Sequence, residues 1–156
     1  MTPEGTPDFL ATATAHLMLA ATGNDVAGNL DAALRTILTA ASRPDTPLVA
    51  REAVEMARAA LAGVSEAVAE HFGDYPCPGT VNIALASAGN VLRTLQLPPD
   101  AVSADDRAML PVWFDWTAVL LAEMDWTTRY RRLSARVGRD FNGYGPAPSP
   151  PPRKLH

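Results

Sequence analysis

The segment from Ser103 to Gly138 constrains this chain most, because its apolar residues recur in alternating steps of four and three. Val112, Trp116, Val119, Glu123, Trp126, Tyr130, Leu133 and Val137 fall at that spacing, and all three tryptophans lie in this segment. Residues so spaced stack along one side of a helix, so the pattern predicts one long helix with a heptad-like stripe. A second set, Trp113, Leu120, Leu121 and Met124, covers another side of the first half alone. That half is expected to be wrapped by other helices, with the stripe continuing onto a surface in the second half. Pro111 falls about two turns in, where its missing N–H is expected to kink the helix or split off a short lead-in.

The rest of the chain also reads as helix. Alanine is abundant while β-branched and aromatic residues are sparse, and no stretch has the alternation of a confident strand. Asp8 is placed to cap a first helix through about Thr22, and Asn24 or Asp25 to open a second running to about Ser42. Thr46 and Pro47 have the order of a cap and first-turn residue for a third helix, which Gly73 would stop. Thr80 would cap a central fourth helix through about Leu95, without charge until Arg93, and Ser103 with Asp106 resembles a capping box for the fifth. At 156 residues one domain is expected. The fold is therefore expected to be all-α, a single-domain bundle of about five helices over residues 8–140. Residues 1–7 read as a flexible arm and 141–156 as a disordered proline-rich tail.

Charge is divided along the chain. Residues 1–125 hold six arginines against sixteen acids, whereas residues 126–156 hold seven basic residues against Asp140 alone. Such asymmetry fits either an acidic partner or a basic end folded back on an acidic body. Twelve of the thirteen basic residues are arginine, which suggests a GC-rich bacterial genome. No arginine or lysine precedes Arg35 and no apolar run is long enough for a membrane span, so a cytoplasmic location is expected.

Each candidate site has a simpler structural reading beside it. Glu123 interrupts the apolar stripe; it is either a partly buried carboxylate usable as acid, base or ligand anchor, or one half of an ion pair with Arg58 or Arg93. A ligand pocket could draw on Trp113, Trp116, Glu123, Asn82 and Asn90. Arg129, Arg131, Arg132, Arg136 and Arg139 could grip an anion or nucleic acid, although the same cations suit a helix C-terminus. His16 reads as a core or interface histidine and His71 as a helix-end residue. Metal-ligand spacing is absent, so no metal and no cofactor are implied. Cys77, the single cysteine, reads as a small residue packed in a stiff loop. Residues 148–153 fit a PxxPxR polyproline pattern, for which a linking tail is the simpler account.

No catalytic constellation stands above its structural reading, so an enzyme is disfavoured. The expected function is a non-enzymatic helical interaction or assembly module, an accessory or regulatory factor with a protein partner or a second copy. Trp126, Tyr130, Leu133 and Val137 are its expected interface. The pocket near Glu123 and the arginine cluster are the alternatives, and no membrane partner is expected.

Overall fold

The computed structural model describes residues 8–73 and 75–140, with side chains through Val137. The expected arm, the expected tail and the side chain of Arg139 lie outside the described residues. Every regular element among those residues is helical: α1 (Phe9–Ala21), α2 (Val26–Ser42), α3 (Arg51–Ala62), α4 (Val64–Phe72), α5 (Pro78–Thr94) and α6 (Ala104–Asp140), with one 3-10 turn at Pro99–Ala101. The chain folds as an all-α bundle.

Three helix starts follow from short polar side chains that accept otherwise orphaned amides. Asp8 Oδ1 accepts the Ala11 N–H at 3.0 Å. Asp25 Oδ1 accepts the Gly28 N–H at 3.3 Å from a left-handed backbone, φ 38°. Ser103 Oγ accepts the Asp106 N–H at 3.1 Å. The Asp106 carboxylate, however, reaches Arg93 at 3.3 Å and so ties the start of α6 to the end of α5.

The third expected helix differs in two ways. Thr46 caps nothing downstream: its hydroxyl donates to the Ala40 carbonyl at 2.6 Å and finishes α2 instead. The segment up to Ala50 is non-helical, and the Val49 N–H donates to the Leu95 carbonyl at 3.1 Å. The helix then begins at Arg51 and stops at Gly63, whose N–H bonds back to Ala59 and Ala60, before resuming as α4. One apolar stripe runs through the break, since Val54, Ala57, Leu61, Val64 and Val68 are all buried. Phe72 ends it, and His71 beside it is exposed.

Pro111 does not split the last helix, which is continuous from Ala104 to Asp140. Both Pro111 and Arg107, whose carbonyl the proline leaves without its helical donor, are exposed residues.

The core joins all these helices. Leu10, Leu17, Leu30, Leu34, Ile37, Val54, Val64, Val68, Val91, Leu92, Leu120 and Met124 are its largest fully buried side chains. α1 packs on α2, α3 and α4; α5 touches α2, α3, α4 and α6; α6 leans on α5 and α2. At about 1.5 Å per residue α6 is about 55 Å long, roughly twice the length of α5, so its end overhangs the bundle.

Candidate interaction surface on the last helix

The face of α6 that enters the core is not the four-three stripe. It consists of Trp113, Thr117, Leu120, Leu121, Met124 and Thr127, all buried. Thr117 and Thr127 fit there because their hydroxyls donate to the Trp113 and Glu123 carbonyls one turn back, at 2.9 and 2.7 Å. At about 100° per residue, the stripe from Val112 to Val137 lies about a quarter to a third of a turn round from that face. Val112, Val119, Leu133 and Val137 are 40%, 37%, 59% and 38% exposed. Trp116, Trp126 and Tyr130 are half-buried.

Trp126 is the best-supported member of the stripe. The Tyr130 ring stacks on it at 5.1 Å, and Tyr75, from the loop before α5, meets it edge-on at 5.6 Å. These contacts lie near the middle of the stripe, and both its ends are exposed. Glu123, at 8% exposure, is the one stripe residue that is buried. Its expected partners are used elsewhere: Arg58 lies 3.6 Å from Glu55 and Arg93 lies 3.3 Å from Asp106. Arg58 sits on α3, which packs on α1, α4 and α5.

The arginines following the stripe have separate surroundings. Arg131 donates from both terminal nitrogens to the carbonyls of His71 and Phe72, closing the C-terminus of α4. Arg129 pairs with Asp125 at 3.2 Å on its own helix. Arg129 and Arg132 also line a groove of about 460 Å³ with Asp25, Asp31, Arg35 and Asp125. There Arg129 and Arg132 of α6 share a groove with Asp31 of α2 and its cap Asp25. Asp31, and to a smaller degree Asp125, raises the Arg35 guanidinium above its ordinary value. Arg136 is exposed.

The expected pocket is not assembled. Asn82 and Asn90 line a groove of about 550 Å³ between α5 and the α3–α4 pair, together with Glu55, Arg58 and Ser65. Ser65 Oγ donates to Asn82 Oδ1 at 2.8 Å. Trp113, Trp116 and Glu123 belong to α6, and no α6 residue lines that groove. The cause is helical spacing: positions 82, 86 and 90 share one side of α5 and turn it toward α3.

His16 Nδ1 donates to Asn29 Oδ1 at 2.8 Å, while the Asn29 amide nitrogen donates to the Asn24 carbonyl at 2.7 Å, so this histidine joins α1 to α2. Cys77 is exposed rather than packed, with Sγ 3.2 Å from Thr80 Oγ1. Among the described residues no three His, Cys, Asp or Glu side chains converge as a metal site. None of their helices is long and apolar enough to cross a membrane. One feature escaped sequence reading: a groove of about 500 Å³ lined by Phe9, Arg35, Arg43 and Pro47 beside the non-helical 43–50 segment. Pro44 and Pro47 were the signals for that segment, since a residue before proline avoids helix.

Comparison with protein-family models, curated proteins and solved structures returned no match.

Proposed function

We propose that this chain is a non-enzymatic helical interaction and assembly module, a bacterial accessory or regulatory factor acting in the cytoplasm. The observation that carries this reading is the outer stripe of α6. Eight positions spaced like a coiled-coil seam run along one side of a single helix, and the chain's own bundle leaves both ends of that stripe open. Trp126 and Tyr130 supply the rigid aromatic surface on which interfaces often depend. The pocket alternative is weakened by the separation of Asn82 and Asn90 from Glu123. The anion alternative is weakened because Arg131 is already engaged by the carbonyls at the end of α4.

Native mass spectrometry and sedimentation of the full chain test the proposal against a Val119→Asp, Leu133→Asp variant. The expected result is a defined higher-mass species that the double variant loses while its helical circular dichroism is unchanged. A species that survives both substitutions, or none at any concentration, overturns it.

A further inference from the structure

The charge on α6 indicates what covers its stripe. From Ala104 to Asp125 the helix carries five acids against Arg107; from Trp126 to Asp140 it carries five arginines against Asp140. Two such helices side by side in the same direction would set like charge on like along their whole length. Reversing one sets acid against arginine at both ends.

We infer that the occupant is a second copy of this chain, joined about a two-fold axis with the two α6 helices antiparallel. The inference rests on the interaction-module reading and specifies its partner. Val112, Val119, Trp126 and Leu133 recur at seven-residue intervals on the side of the stripe away from the core. A two-fold axis between Ala122 and Glu123 sets Val112 against Leu133 of the second copy and Val119 against its Trp126. The same register brings Asp115 within one position of Arg129 of the second copy, twice over by symmetry. Both residues are exposed. Ala122 falls beside the axis, also exposed, and its small side chain admits close approach of the two backbones. Glu123 is buried on the bundle side of this seam, and Tyr75 meets the seam's Trp126 edge-on.

Single cysteines in the full-length Cys77→Ser protein test both partner and direction. Ala122→Cys is expected to oxidise to a covalent dimer. Leu133→Cys is not, because the two copies of residue 133 stand about 30 Å apart in this register, far beyond disulfide reach. Asp115→Arg is expected to weaken the dimer about tenfold by reversing two symmetry-related pairs, and adding Arg129→Asp to restore it. Cross-linking at both cysteines means parallel helices and overturns the inference. A dimer cross-linked at neither, or a charge swap without rescue, overturns it as well. A complex with a different protein through this stripe overturns self-pairing and leaves the module reading standing. A bare monomer at every concentration removes both.

Discussion

The Arg131 guanidinium stands 5.4 Å from the centroid of the Phe72 ring while its Nη2 donates to the Phe72 carbonyl at 2.6 Å. One side chain thus packs on the last aromatic ring of α4 and satisfies carbonyls that the end of that helix leaves open. Arg131→Ala is expected to cost about 1–2 kcal/mol, since hydrogen bonds from a charged donor exceed neutral ones but this one is partly solvated. Arg131→Lys, which lacks the planar fork, recovers only part of that. Urea unfolding followed by circular dichroism measures both.

Neighbouring residues of α6 should respond very differently to truncation. Leu120 is fully buried and Val119 is not. Leu120→Ala is expected to destabilise by about 2–5 kcal/mol through the lost contacts and the cavity left behind. Val119→Ala should change monomer stability by less than about 0.5 kcal/mol, measured at high dilution. Equal effects would mean that the two faces have been assigned wrongly.

Asp25 combines a cap with a left-handed backbone. Asp25→Ala loses the hydrogen bond and adds strain, for an expected cost of about 1–2 kcal/mol. Asp25→Asn keeps an acceptor and tolerates the conformation, so its cost is expected within about 0.5 kcal/mol. Thermal melts of the two variants side by side decide this.

Gly63→Ala is expected to stabilise the protein by about 0.4–1 kcal/mol. The residue has φ −79° and ψ −9°, and an added Cβ would come no closer than 3.6 Å to its neighbours. Nothing in that backbone requires glycine. A lower melting temperature for the alanine variant would show that the α3–α4 break needs glycine's freedom.

Where one local signal decided the outcome, the fold was legible. Asp8, Asp25 and Ser103 cap the helices that they were expected to cap, because each competes only with water for its amide. Thr46 was misleading because its hydroxyl found the Ala40 carbonyl six residues back, a partner visible only once α2 has ended. The core face of α6 was legible in part, since Trp113, Leu120, Leu121 and Met124 stood out as a second side of its first half and are buried. Hydrophobic spacing selected Val112 and Val119, whereas Thr117 and Thr127 enter the core with their hydroxyls already bonded to the backbone. The pocket residues failed to meet because helix order in space, not spacing along α5, decides which side of α5 faces α6.

α1 carries no charged side chain from Phe9 to Ala21, yet it packs on α2, α3 and α4. The ion pairs lie on other helices: Asp31–Arg35 on α2, Glu55–Arg58 on α3, Arg93–Asp106 between α5 and α6, and Asp125–Arg129 on α6. Dissolved salt therefore acts on those helices, by screening, while cooling acts on the seat of α1, by weakening apolar association. Electrolyte and cold thus load different contacts of this protein without changing a residue.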